Sequence, residues 1–256
     1  MQLTASFSDL NGASVFITGG GSGIGAALTE GFLRQGAKVT FIGRSDASEF
    51  VEQVTQTTGN APIFVQGDIT DSAALQGAID LAADRHGPVS VLVNNAANDQ
   101  RHATTEVTDA FWDWMIAVNL KAYFFACQAV LPGMQTMGQG RIVNFSSISY
   151  MMGNAGYPIY TTANGGITAM TRSLAREFGP DGIGINALAP GWVLTDKQVE
   201  KWATPEGLAA HLDRQCLKTH LEPRDVVETT LFLSSQASRM MTGQLIALDG
   251  GVVTTG

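Results

Sequence analysis

Residues 13–36 constrain the fold more than any other stretch, because ASVFITGGGSGIGAALTEGFLRQG reads as a short apolar strand, a glycine-rich turn and an amphipathic helix closed by Gly36. Strand, glycine turn and helix in that order are what phosphate binding requires. Glycines let the backbone approach a pyrophosphate, and the free amides at a helix start favour its negative charge. A glycine turn can also be purely structural, but its place directly after the first strand favours the binding reading.

The same alternation runs down the chain. Apolar runs KVTFI, PIFVQG, VSVLVNNAA, RIVNFSS, GIGINALAPG and QLIALDGG follow the first strand. Helical patterns fall between several of them, near 47–58, over the long stretch 109–137, after Pro158 and near 223–234. Seven strands alternating with helices predict an α/β protein: one doubly wound, Rossmann-type domain over 1–256, with a seven-stranded parallel sheet and helices on both faces. No repeat or linker divides it. The segment 192–218 mixes charge with Trp192 and Trp202 and has weaker periodicity, so it is expected to be a substrate lid.

Composition excludes several classes. A net charge of −8 argues against a nucleic-acid surface, which needs clustered Lys and Arg. Two cysteines, Cys127 and Cys216, make a disulfide framework unexpected and fit a reducing compartment; either would serve as core filler. The opening MQLTASFSDLNG lacks a basic start followed by an apolar run, and no apolar run approaches the roughly 18 residues of a membrane span. A cytoplasmic protein with no membrane partner is expected. No metal is expected either, since His102 has no second histidine at ligand spacing.

The chemistry concentrates in 141–176. RIVNFSS ends in hydroxyls, and after Pro158 the residues Ile159, Ala163, Ile167, Met170 and Leu174 are spaced as one helix face. Tyr160 therefore lies on the first turn of a long helix. The loop MMGNAGYP between them is long enough for Ser147 and Tyr160 to converge.

Ser147 with Tyr160 thirteen positions later, Thr18, Gly19, Gly23 and Gly25 in a TGxxxGxG pattern, and NNAA at 94–97 together resemble the short-chain dehydrogenase/reductase family over nearly the whole chain. The resemblance implies a nicotinamide-dependent oxidoreductase with Ser147, Tyr160, Asn119 and position 164 in the catalytic group. The family has lysine four positions after the tyrosine, whereas this chain has Asn164, which can hold a ribose but brings no charge. Lys121, two positions from Asn119 on a helix, should face elsewhere. Three readings stay open: a natural dehydrogenase with an altered relay, an enzyme disabled at 164, or a non-catalytic dinucleotide-binding protein.

The family motifs further imply cofactor contacts from Gly19, Ser22, Gly23, Ile24, Gly25, Arg44, Ser45, Asp68, Ile69, Asn95, Ala96, Tyr160, Asn164, Pro190, Gly191, Val193 and Thr195. Gly43-Arg44-Ser45 stands where an acidic side chain would take both ribose hydroxyls, and a basic one pairs with a 2′-phosphate. NADP is favoured and NAD remains possible, with Asp46 nearby. Asp68 competes with Asp71 as the cap of the next helix.

NNAANDQRH and PGWVLTDKQVEKWATPEG with RQCLK resemble bacterial sugar dehydrogenases of the D-xylose, L-arabinose, L-rhamnose and L-fucose type. This implies a sugar or sugar-acid substrate, met by Ser147 and by the amides and aromatic face of Asn98, Asn154, Trp192 and Gln198, with Gln100 and Trp202 beside them. The same residues are also ordinary loop chemistry. A sugar-acid or 3-oxoacyl reductase is the alternative enzyme. Family members are commonly homotetramers, and the aromatics Phe111, Trp112, Trp114, Tyr123, Phe124 and Phe125 read as core and subunit interface.

Overall fold

The computed structural model describes residues 3–254, so the outermost two residues at each end of the 1–256 span lie outside it. Seven parallel strands form one sheet in the order β3-β2-β1-β4-β5-β6-β7. They are β1 (Ser14–Thr18), β2 (Lys38–Gly43), β3 (Ile63–Gln66), β4 (Val91–Asn94), β5 (Gly140–Phe145), β6 (Ile183–Pro190) and β7 (Leu245–Leu248). The order reverses between β1 and β4, which places a crevice at the carboxyl ends of those two strands.

Helices cover both faces, and the five inner strands read as unbroken apolar runs because side chains of both parities are buried, while the edge strands β3 and β7 are only half-buried. On one face Val15, Ile17, Val39, Phe41 and Val93 pack with Leu28 and Phe32 of α1 (Gly23–Arg34), Val54 of α2 (Ser48–Thr58), and Val226, Val227 and Leu231 beyond β6. On the other, Phe16, Ile42, Leu92 and Ile142 pack with Leu75 and Ile79 of α3 (Ser72–His86) and with the long helix that follows β4.

That long helix is expected as one element and is interrupted. α4 (Asp109–Ile116) passes through a turn of π-helix, Ala117–Lys121, into α5 (Ala122–Met137). Taken together, Asp109–Met137 is long and apolar enough by length and composition to cross a membrane, with mean hydropathy 1.4, which corrects the expectation that no such stretch exists. Half of the apolar window is buried, through residues such as Ala126, Cys127, Val130 and Met134, so its apolarity is that of a core helix. Of the aromatics on it only Tyr123 is fully buried, while Trp112 and Phe124 are exposed.

Three more helices follow: α6 (Pro158–Phe178), α7 (Asp196–Lys201) and α8 (Pro205–Arg214). The last, α9 (Pro223–Ser234), opens on a reciprocal cap in which the Glu222 amide donates to the Asp225 carboxylate at 2.8 Å. The weak periodicity of 192–218 has a simple cause: α7 and α8 are short and bury no residue fully. Cys127 is buried as expected, but Cys216 is exposed and donates to the Gly251 carbonyl at 3.2 Å, so it fills no core.

Candidate active site

A cavity of about 1040 Å³ lies across the carboxyl ends of the strands, from Arg44 and Asp68 at one end to Tyr160 and Trp202 at the other. Its floor is the glycine turn. Gly19 has φ of +72°, and a Cβ on Gly25 would stand 1.9 Å from the Gly19 carbonyl oxygen, so backbone packs on backbone there. Ser22 enters α1 in extended conformation and its side chain makes no capping bond, which leaves the first-turn amides facing the cavity without a side-chain acceptor. A shape of this kind, with a helix start bare of any cap, fits a dinucleotide's pyrophosphate.

Residues around the turn divide into lining and struts. Asn95 lines the cavity, yet its Nδ2 donates to the Thr18 and Gly19 carbonyls at 3.1 and 3.2 Å, while Thr18 Oγ1 accepts from the Asn95 and Ala96 amides. Its side chain holds the turn rather than facing free space. Asp68 and Ile69 line the wall; Asp68 Oδ1 accepts from the Thr70 amide and hydroxyl, and Asp71 caps α3 through the Ala73 and Ala74 amides. Arg44 and Ser45 are exposed at the far rim. Asp46 beside them also lines the cavity and accepts from the Ser48 hydroxyl and amide at 2.6 and 3.0 Å, and those bonds hold its carboxyl below the usual range. Pro190, Gly191 and Val193 form the wall after β6, and Thr195 caps α7 through the Gln198 amide while touching the space above Gly23.

At the other end Ser147, just past β5, and Tyr160, on the first turn of α6, reach the same point. Burial pushes the Tyr160 phenol up to about 12, helped by the negative charge of Asp99, and hydrogen bonding by Ser147 and Asn164 offsets part of the rise. No cation contributes. Asn164 is buried, its Nδ2 donates to the Tyr160 carbonyl at 2.8 Å, and its own carbonyl accepts from Ser146 Oγ at 3.0 Å. Asn119 sits on the π turn, where its Oδ1 accepts from the Asn98 amide at 2.8 Å and its Nδ2 donates to the Met115 carbonyl. Lys121 faces elsewhere, with its ammonium 5.8 Å from the Phe125 ring.

The family described as "Enoyl-(Acyl carrier protein) reductase" matches residues 19–253. The chain belongs to the short-chain dehydrogenase/reductase family. It is 47% identical over 251 residues to "Probable galactose dehydrogenase GalD" of Rhizobium meliloti, covering 97% of this chain and 98% of that one. It is 44% identical over 249 residues to D-xylose 1-dehydrogenase of Caulobacter vibrioides, again covering 97% and 98%. A short-chain type dehydrogenase/reductase from Mycobacterium ulcerans has the same fold, with TM-score 0.90, 26% identity and coverage of 97% and 91%.

In this short-chain dehydrogenase/reductase several of the expected substrate residues hold one another. Trp192 Nε1 donates to Gln198 Oε1 at 3.0 Å, and Gln198 Nε2 donates to Asp99 at 2.9 Å, so that amide is engaged at both ends. Asn98 Oδ1 accepts from the Gln100 amide, and Asn154 Nδ2 donates to the Tyr157 hydroxyl. Three further residues, Asp99, Arg101 and Tyr157, line the cavity beside them. Asp99 is paired with Lys197 at 3.1 Å; burial raises its carboxyl, but the Gln198 bond and the Lys197 charge bring it below the usual range. Tyr157 stacks on Tyr160 with centroids 5.4 Å apart, and the Arg101 guanidinium lies 3.6 Å from the Tyr157 centroid and 5.5 Å from that of Trp202. The polar loop NDQRH is the only sequence signal for Asp99 and Arg101, and an aperiodic loop does not encode which side chains turn inward.

Proposed function

We propose that this protein is a nicotinamide-dependent sugar dehydrogenase of the short-chain family, working at the carboxyl ends of β4, β5 and β6. The convergence of Ser147 and Tyr160 at one end of a cavity floored by the glycine turn carries this reading. When bound, the nicotinamide supplies the hydride acceptor. The α1 amides, with Gly19, Ser22, Gly23 and Ile24, hold its pyrophosphate; Asp68 and Ile69 meet the adenine end; Ala96, Pro190, Gly191, Val193 and Thr195 face the rest. Ser147 Oγ orients the substrate oxygen, and Tyr160 Oη takes up its proton. Asn164 stands where the family has lysine, so it holds position without charge.

The protonation state of Tyr160 sets how each direction depends on pH. Free tyrosine titrates at about 10, and burial pushes the Tyr160 phenol up to about 12, so at neutral pH it stays protonated. Oxidation therefore belongs to alkaline pH, while a protonated Tyr160 suits carbonyl reduction at neutrality, which favours the reductase as the second reading. Arg44 carries the NADP preference, since among the described residues its guanidinium has no ion-pair partner. In this reading 192–218 closes over the sugar as a lid of one domain, and the exposed Trp112 and Phe124 belong to the contact between copies of a cytoplasmic tetramer. The test is a panel of aldoses and sugar acids with NADP and NAD, run in both directions from pH 6 to about 10.5 while following absorbance of the reduced nucleotide. No change in absorbance with any substrate at any pH overturns the dehydrogenase.

A further inference from the structure

We infer that Asp99 selects the substrate: its carboxylate accepts hydroxyl hydrogens from a neutral polyol beside the reacting carbon, and its charge disfavours anionic sugars. The inference rests on the proposed dehydrogenase reading and narrows it.

Asp99 is held in place with acceptor capacity to spare. Its side chain is 19% exposed and lines the cavity with Tyr160 and Trp192. Oδ1 takes one bond from Lys197 Nζ and Oδ2 takes one from Gln198 Nε2. A carboxylate offers about four acceptor sites; with the Asp99 main-chain amide also bonding to it, at least one site remains for a substrate hydroxyl. The orientation is locked from behind, because Trp192 Nε1 fixes the Gln198 amide and the amide fixes Asp99. A sugar hydroxyl donates to such an acceptor, and Trp192 and Trp202 line the same space.

Charge decides against an acid. The other charged groups lining this half are Arg101, Lys197, Asp196, His211 and Arg214. Lys197 is spent on Asp99 itself, Arg101 is exposed against Tyr157, and the charge of Arg214 falls on His211, whose protonation it disfavours. At the Tyr160 phenol the charge that registers is that of Asp99, with no cation opposing it. A carboxylate close to the reacting carbon meets that field.

The experiment compares the wild type with Asp99→Asn on D-galactose, 2-deoxy-D-galactose and D-galacturonate. In the wild type, galactose should exceed galacturonate in kcat/KM. Asp99→Asn should cost galactose about 10- to 100-fold, carried by KM, as expected for loss of charge-assisted hydrogen bonds. It should cost the 2-deoxy sugar less and narrow the preference over galacturonate. Equal losses on all three, or none, overturn the inference. Sugar binding is read separately by tryptophan emission in a Tyr160→Phe protein saturated with NADP, with and without Asp99→Asn. Galactose binding that weakens on loss of the charge sustains the Asp99 role even where the wild type turns nothing over, an outcome that sinks the dehydrogenase alone. Galacturonate binding as tightly as galactose, or binding unmoved by Asp99→Asn, sinks the Asp99 role.

Discussion

Tyr160 and Asn164, four positions apart on α6, are the residues on which the proposed dehydrogenase chemistry turns. With no cation at 164, the oxidation rate should climb about tenfold per pH unit through the alkaline range, because only the ionised phenol accepts a proton. Asn164→Lys places an ammonium beside the phenol and should move that limb toward neutrality. For every pH unit the limb moves, kcat at pH 7 should rise about tenfold, read from the kcat–pH profile. Tyr160→Phe should abolish turnover and leave nucleotide binding, followed by tryptophan quenching, within about threefold. Gly25→Ala drives a methyl onto the Gly19 carbonyl, so it should cost about 1–3 kcal/mol of unfolding free energy, seen as a lower melting temperature, and weaken nucleotide binding.

Elements built on strict periodicity are legible in the sequence. All seven strands, α1, α6 and α9 stand where their apolar spacing and end signals predict, because a fully buried strand or a one-faced helix leaves a regular imprint. The π turn at 117–121 leaves no imprint, since one extra residue in a turn changes neither composition nor local apolarity. Asp99, Arg101 and Tyr157 escape a reading of the sequence for a related reason: they act from loops or a helix entry, where spacing does not fix direction. Gln198 lies in the site's surroundings as its segment implies, but its bonds run to Trp192 and Asp99. The reciprocal cap of α9 gives a prediction at this scale. Asp225→Ala removes the acceptor for the Glu222 amide and should cost about 1 kcal/mol in chemical denaturation without altering the nucleotide affinity.

Across the whole molecule, the link from Asp99 to Lys197 and Gln198 ties the chain after β4 to the chain after β6. The Asp99 carboxyl lies below its ordinary range in the folded state, so its contribution to stability is present above the unfolded value and is lost as pH falls through the folded one. Acid unfolding of Asp99→Asn should therefore show a shallower loss of stability below about pH 4 than the wild type, measured by circular dichroism at stepped pH.

The loop that carries Asp99 is pinned at its ends by main-chain donors: the Asn98 amide to Asn119 Oδ1, and the His102 amide to the Gly156 carbonyl. Neither anchor draws on the side chains at 99, 100 or 101. The path of this loop is therefore drawn by its main chain, so a substitution at Asp99 that severs the tie to Lys197 and Gln198 leaves both anchors in place.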